Sequence, residues 1–497
     1  MKLCELLPAV EDGVLLQGDP RTEVRGLCYD SRRATPGALF VCLPGQHADG
    51  HDFAARAAAA GAAGIVCERP LPDLPAGLPV VQAPHSRRAL AQLALRFYGG
   101  PARRMTMVGI TGTKGKTTTA HLLAAVLAAA GYKVGLIGTN GAEWPGCRLP
   151  LRHTTPESSD LQALLRRMAD DGCDACVMEV SSLGLKMDRV WGIRYDLGIF
   201  TNLSPDHIGP GEHASFAEYR AWKSVLFRRC AVGVVNADDP HTPELLRLHT
   251  CRVVTYGIDH PADWRAEGDL APYRAPGRLG MSFTAAGPGW PPARYELPMP
   301  GRFSVYNALA VLAAAGVLDL PREAARRGLA AAAVEGRVQP LALDAPFTVV
   351  LDYAHNAAAA ENLLQALRAY HPSRLVVVFG CGGGRSRVRR SGMGEACARL
   401  ADFCILTEDN SRGEPLEAIL ADIRAGMARG GPGTPFVEIP DRRQALYYAL
   451  DHAQPGDILA VIGKGHETTL ERGGQTLPFC ERAIIEAYME QKKARSQ

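Results

Sequence analysis

Val108 to Ala120 reads V-G-I-T-G-T-K-G-K-T-T-T-A, and this stretch restricts the fold more than any other in the chain. An apolar run (Met105, Val108, Ile110) enters a loop of glycine and threonine, and an alanine- and leucine-rich helix is predicted from about Thr118 to Gly131. The order is strand, loop, helix. Gly112 and Gly115 let the backbone turn its N–H groups inward around an anion, and Lys116 adds a point charge for the outer phosphates. The Thr117 hydroxyl suits Mg²⁺, and the helix N-terminus contributes partial positive charge. Gly112, Thr113, Lys114, Gly115, Lys116, Thr117 and Thr118 are thus the candidates for the phosphates of a nucleoside triphosphate. The spacing is G-x-x-G-K-T, with Ile110 where the longer pattern has its first glycine, so a purely structural glycine turn is the competing reading.

At 497 residues the chain exceeds one hydrophobic core, so several domains are expected. Charged residues at 22% and hydrophobic residues at 47% describe a soluble globular protein. A net charge of +3 is too slight to argue for nucleic acid or a membrane surface, and aromatics at 6% argue against base-stacking platforms. The start, M-K-L-C-E-L-L, has no apolar signal core, and no run is long enough to span a bilayer, so a cytoplasmic protein is expected. The thirteen scattered cysteines read as reduced, mostly buried small hydrophobes.

Residues 1–101 read as a small α/β domain, with strands at Val24–Asp30, Ala38–Leu43, Ile65–Cys67 and Val80–Gln82 and helices at Phe53–Ala63 and Arg87–Tyr98. Taken alone, Ser31, Gln46, His47 and Asp49 are ordinary turn residues. In residues 102–335, strands and helices alternate, which implies a parallel sheet with ligands at the carboxyl ends of its strands. His153–Glu157 is predicted to start a helix, with Pro156 in its first turn. Gly112, Ser181 and Thr201 each directly follow a strand, so Glu179 and His207 can reach the Mg²⁺ that Thr117 would hold. A solvated carboxylate at a strand end is the other reading of Glu179. Lys223 shares a helical face with Phe216, Tyr219 and Phe227, so it is paired, modified, or snorkels to water. Asn307, predicted in the first turn of the Arg302–Ala315 helix, binds nucleotide or caps. In residues 336–497, strands Phe347–Leu351, Leu375–Phe379, Phe403–Thr407 and Ile458–Ile462 feed the loops D-Y-A-H-N, G-C-G-G-G-R, E-D-N-S-R-G-E and G-K-G-H-E. The second resembles half a dinucleotide fingerprint, but its spacing is wrong and no ribose-binding acid follows at the right distance.

The motifs D-S-R, T-G-T-K-G-K-T-T, M-E-V-S-S, T-N-L-S-x-D-H, K-S-x-L-F, N-A-D-D, D-Y-A-H-N, G-C-G-G, D-N-x-R and G-K-G-H-E follow one another in order. With them the chain resembles the Mur ligases, ATP-dependent enzymes that add amino acids to the peptidoglycan precursor, and among these the members that add the third residue. The resemblance implies three domains. A small α/β domain (1–101) holds the UDP-muramoyl substrate, a P-loop ATPase domain with a mainly parallel sheet (102–335) holds ATP, and a Rossmann-like domain (336–497) holds the incoming amino acid. It implies substrate contacts at Tyr29, Ser31, Gln46, His47, Ala48, Thr154, Thr155, Ser181 and Arg189, and further nucleotide contacts at Asn307, Arg337 and His355. Arg385, Asp409, Asn410, Ser411, Arg412, Gly463 and Glu467 match the amino-acid pocket. Lys116, Lys223, Glu179 and His207 match the catalytic set. Thr117, Glu179, His207 and Lys223 as a carbamate (N6-carboxylysine) match the holders of two Mg²⁺. The chain departs from the family pattern at His153, Leu183, Met187 and in the segment from Asp206 to His213. Arg412 could hold the distal carboxylate of meso-diaminopimelate as a bidentate pair. Lysine or another diamino acid, and another ATP-dependent amide ligase such as a folylpolyglutamate synthase, are the alternatives, and a monomer is expected.

Overall fold

Apolar strands alternating with helices become, in the computed structural model, two compact units: Met1–Trp264 with Ala310–Ala325, and Arg265–Leu309 with Arg326–Gln497. The structure describes all residues except 46, 47, 72, 210, 276, 277, 385, 432 and 497, and only the backbone of 495 and 496.

The first unit has two sheets. Strands β1 (Val14–Gln17), β2 (Gly26–Cys28), β3 (Ala38–Val41), β4 (Gly64–Cys67) and β5 (Val80–Gln82) lie in the order β1-β5-β4-β3-β2, parallel except for β1. The next strands are β6 (Thr106–Thr111), β7 (Val134–Gly138), β8 (Gly141–Trp144), β9 (Cys147–Leu149), β10 (Ala175–Glu179), β11 (Tyr195–Phe200), β12 (Cys230–Asn236) and β13 (Arg252–Gly257). They run in the order β13-β12-β11-β6-β10-β7-β8-β9, parallel as far as β7 and antiparallel in the β7-β8-β9 meander. Such sheets are covered on both faces, which is why β6 and β10 read as continuous apolar runs. Because β6 lies between β11 and β10, the phosphate loop, the T-N-L-S loop and Ser181 leave the sheet at one edge.

In the second unit β14 (Trp264–Ala275), β15 (Arg278–Gly287) and β16 (Trp290–Leu297) pair antiparallel. Strands β17 (Gln339–Pro340), β18 (Thr348–Asp352), β19 (Leu375–Phe379), β20 (Phe403–Leu406), β21 (Phe436–Glu438) and β22 (Ile458–Ile462) form a sheet ordered β17-β18-β22-β19-β20-β21, parallel except for β17. A hairpin of β23 (Thr469–Arg472) and β24 (Gln475–Pro478) follows. Helices Arg387–Leu400 and Leu416–Gly430 meet backbone to backbone. A Cβ added at Gly426 would lie 1.8 Å from Ser391 O, and one at Gly430 would lie 2.1 Å from Glu395 O.

Several elements differ from the sequence expectation. The helix after the phosphate loop spans Lys116–Ala129, because Gly115 (φ 82°) completes the turn and the helix starts directly after it. The helix expected over Phe53–Ala63 is only Ala54–Ala59, closed by Gly61 in the left-handed region at φ 86°. His153–Glu157 is not helical. The helix is Ser158–Asp170, with an extended Glu157 before it and Pro156 outside. Asn307 lies in the second turn of the Arg302–Val317 helix, too deep to cap it. Cys173 and Cys176, at C-x-x-C spacing, are buried free thiols. Among the described residues no helix is long and apolar enough to cross a membrane.

Candidate active site

The phosphate loop is shaped by close approach. A Cβ at Gly112 (φ 149°) would lie 1.9 Å from Thr201 Oγ1, so only glycine fits. The loop is stapled to the segment after β11. Thr113 N donates to Asn202 O at 2.8 Å and Lys114 N to Asn202 Oδ1 at 3.0 Å. Thr201 Oγ1 and Asn202 Nδ2 return bonds to Lys114 O at 2.6 and 3.0 Å. The N-A-D-D turn holds that segment in turn, through Asn236 Nδ2 to Thr201 O (2.9 Å) and Leu203 N to Asp239 Oδ2 (2.6 Å). Lys116 Nζ donates to the loop carbonyls of Gly112 and Thr113 at 2.9 and 3.0 Å. Thr118 is buried in the first turn of the helix.

Glu179 ends β10 and is 1% exposed. Its Oε1 accepts from Thr117 Oγ1 at 2.9 Å and Thr139 N at 2.8 Å, and its Oε2 accepts from Thr139 Oγ1 at 3.3 Å. A buried carboxylate is tolerable only when bonded in this way. Gly138 makes room for it, since a Cβ there would lie 2.3 Å from Glu179 Oε1. The reading of a solvated strand-end acid therefore fails.

Lys223 does not snorkel. It is 1% exposed, its Nζ donates to Gly112 O at 2.8 Å, and it lies 4.5 Å over the Tyr219 ring. Burial, with the charge of Lys116 nearby, pushes its pKa well below the ordinary lysine range. Its helix, Phe216–Ser224, has Ser215 as N-cap, and Phe227 follows in a 3₁₀ turn. Thr117, Glu179, Lys116 and Lys223 thus gather at one strand edge. His207 does not join them by any bond in the structure. It has φ 54°, is about half exposed, and its Nδ1 pairs with Glu212 Oε1 at 2.8 Å. Among the described residues no three His, Cys, Asp or Glu side chains gather around a metal position. The departing segment from Asp206 to His213 supplies Glu212 as an alternative partner.

The residues expected to meet the peptide substrate interlock. Thr155 Oγ1 donates to Glu179 O at 2.9 Å and accepts from Ser181 N at 3.0 Å, and the hydroxyls of Thr154 and Thr139 are 3.1 Å apart. Arg189 binds Thr155 O at 3.1 Å and Glu157 Oε1 at 2.7 Å, while Arg87 reaches Glu157 at 3.3 Å. Ser181 caps the Ser182–Lys186 helix through Gly184 N. Tyr29 hydrogen-bonds Asp160, and Ser31 opens a 3₁₀ turn beside Asp30, whose pKa the Arg32 guanidinium holds down to about 2. Ala48 O accepts from Gly45 N at 3.1 Å; Gln46 and His47 lie outside the described residues. Glu157 and Thr139 are contributors that sequence reasoning missed, Glu157 because it was read only as part of a helix start.

In the second unit, Asp352 Oδ2 accepts from Val338 N at 2.8 Å, which fixes Arg337 at the end of β18 with its guanidinium 4.6 Å over the Tyr353 ring. His355 Nδ1 donates to Tyr353 O at 2.9 Å, and Asn307 is buried. After β20 and β22, Asn410 Nδ2 donates to Glu467 Oε2 at 2.9 Å. Lys464, fully buried, donates to Asn410 Oδ1 at 3.1 Å and Glu467 Oε2 at 2.8 Å. Arg412 (φ 56°) is aimed by Glu471 Oε2 at 2.9 Å and Gly383 O at 2.7 Å. Asp409 is buried beside Gly463, and Ser411 is buried before Arg412. Arg385 lies outside the described residues. Lys464 was visible in G-K-G-H-E, whereas Glu471 had no signal in the sequence.

Three family descriptions match in order: "Mur ligase family, catalytic domain" over residues 23–98, "Mur ligase middle domain" over 110–315, and "Mur ligase, glutamate ligase domain" over 336–465. The chain belongs to the Mur ligase family. It is 40% identical, over 99% of its length and 100% of the relative's, to the UDP-N-acetylmuramoyl-L-alanyl-D-glutamate–2,6-diaminopimelate ligase of Geobacillus thermodenitrificans. Its fold is similar to a solved ligase of the same name, with TM-score 0.69, 28% identity and 99% of both chains covered. At the level of fold alone it is also similar to a MurF ligase of Thermotoga maritima in complex with ADP, with TM-score 0.63, 18% identity, and 94% of this chain and 99% of that one covered.

Proposed function

We propose that this chain is the ATP-dependent ligase that joins meso-diaminopimelate to the D-glutamyl carboxylate of UDP-N-acetylmuramoyl-L-alanyl-D-glutamate. The observation that carries the reading is the full-length similarity to a ligase of that name. Residues 1–101 serve the UDP-muramoyl group, 102–335 serve ATP and 336–497 the amino acid, in a cytoplasmic monomer.

The D-glutamyl carboxylate attacks the γ-phosphorus of ATP, giving an acyl-phosphate and releasing ADP. The amine of the diamino acid then attacks the acyl carbon, the C–O bond to phosphate breaks, and phosphate leaves. Lys116 exchanges its two carbonyl partners for phosphoryl oxygens, beside the N–H groups at the start of its helix. Arg189 and the Thr154–Thr155 segment orient the peptide, and Arg412 takes the distal carboxylate of diaminopimelate. Water must be kept from the acyl-phosphate until the amine attacks, or the intermediate hydrolyses.

The Thr117 hydroxyl and Glu179 carboxylate, 2.9 Å apart and both buried, are hard oxygen donors that fit Mg²⁺. Two such ions, when bound, neutralise charge on the phosphates. Lys223, favoured as the neutral amine, suits carbamylation. Its lone pair bonds the carbon of CO₂ and an N–H proton leaves, turning a cation into an anionic oxygen donor. His207 belongs to this set by resemblance, and to join it must leave Glu212.

The test is phosphate release from ATP with UDP-N-acetylmuramoyl-L-alanyl-D-glutamate and each of diaminopimelate, lysine and ornithine. Release with diaminopimelate alone is expected. Release with none sinks the ligase reading, and release with lysine but not diaminopimelate overturns the role given to Arg412.

A further inference from the structure

The loops given above to the incoming amino acid leave strands that are not neighbours, because β19 lies between β20 and β22. One side chain spans the gap. Arg442, the first residue of helix Arg442–Asp451, is 0% exposed. Its Nη1 donates to Glu408 O at 2.9 Å and its Nη2 to Ile462 O at 2.8 Å. These are the carbonyls directly before Asp409 and Gly463, so each loop starts from an atom held by the same guanidinium. The third arm, Nε, donates at 2.6 Å to Glu481 Oε1. Glu481 is equally buried and opens the Glu481–Ser496 helix.

The loops are tightly set where Arg442 holds them. A Cβ at Gly463 would lie 2.7 Å from Asp409 Oδ2 and 3.8 Å from Arg442 Nη2. Just beyond, Lys464 and Glu467 of one loop bond Asn410 of the other. A shift of one loop origin relative to the other therefore breaks the Asn410–Glu467–Lys464 contacts. A buried ion pair is a poor source of stability compared with apolar residues of the same volume. A rigid planar fork that bonds two carbonyls and a carboxylate at once is a good source of position.

We propose that Arg442, oriented by Glu481, is the positioning residue that sets the spacing of the two amino-acid-binding loops and so governs affinity for the incoming diamino acid. The proposal rests on the ligase reading and adds a residue outside the motifs quoted above.

The experiment uses the full-length enzyme and measures KM for diaminopimelate, ATP and the UDP-dipeptide by phosphate release, with thermal midpoints for every variant. Arg442→Lys keeps the charge and loses the fork. It should raise KM for diaminopimelate about 10- to 100-fold, as misplaced binding groups do, and leave the other two KM values unchanged. Glu481→Gln, which keeps the volume, should shift the same KM in the same direction by less, and it carries the test alone if Arg442→Lys does not fold. An unchanged KM for diaminopimelate, or all three KM values rising together, overturns the proposal. A wild-type enzyme that releases phosphate with none of diaminopimelate, lysine and ornithine overturns the ligase reading instead.

Discussion

The phosphate loop and the loops proposed for the amino acid both offer groups for a charged ligand, but with different atoms. At Gly112–Thr118 the proposed binding groups are largely backbone N–H groups and a helix terminus, and the conformation is forced by Gly112, which has no room for a side chain, and by Gly115 at φ 82°. At Asp409–Arg412 and Gly463–Glu467 the proposed binding groups are side chains, held by Lys464 within the second loop and by Arg442 and Glu481 from elsewhere in the chain. A site made of backbone is written in consecutive residues. A site made of side chains depends on partners that the fold brings from a distance.

Variants can break this contrast. Lys223→Ala should show the largest effect, loss of phosphate release with partial rescue by short carboxylates. Full activity with an unmodified lysine, seen by intact mass, contradicts the carbamate. Gly112→Ala forces a Cβ into Thr201 and should lower kcat/KM for ATP about 10²–10³-fold, as loss of preorganised donors does, with KM for the amino acid unchanged. A parallel rise in both KM values would collapse the distinction between the two sites. Arg412→Ala should raise KM for diaminopimelate about 10- to 100-fold by removing a charge-assisted pair, and narrow the preference over lysine. An unaltered preference puts selectivity elsewhere.

The smallest effect is on stability. The folded chain refuses at Lys223 a proton that the unfolded chain binds, so this residue makes stability rise with pH from its depressed folded-state pKa up to the ordinary lysine value. Lys223→Met should raise the thermal midpoint most at low pH and flatten that slope below the ordinary lysine range. An equally steep slope in Lys223→Met assigns the dependence to other groups.

The parallel sheets, the phosphate loop and the burial of Glu179 were legible because strand runs and glycine turns are local. Lys223 was half legible. Its helical spacing put it on an apolar face, but only the fold shows Gly112 O waiting for it. Arg442 was not legible, since it stands beside Arg443, which is exposed, and nothing in D-R-R-Q separates the two. Pro156 misled for a physical reason. It suits a first helical turn, yet Thr154 and Thr155 are taken up by hydrogen bonds to other strand ends, which keeps the segment extended. The His207 bond to Glu212 was not legible, because Glu212 comes from the segment that differs from the family pattern.

The glycine contact between helices Arg387–Leu400 and Leu416–Gly430 bears on how this enzyme can drift. The second helix begins just after Arg412, and Arg390 on the first grips Glu414 beside it at 2.7 Å. A methyl group at Gly426 or Gly430 must part the helices, and with them the Arg390–Glu414 pair two residues beyond Arg412. Selection for a different amine would then accept changes at this inner seam as readily as changes in the pocket, and a catalogue of pocket residues alone would not foretell the substrate.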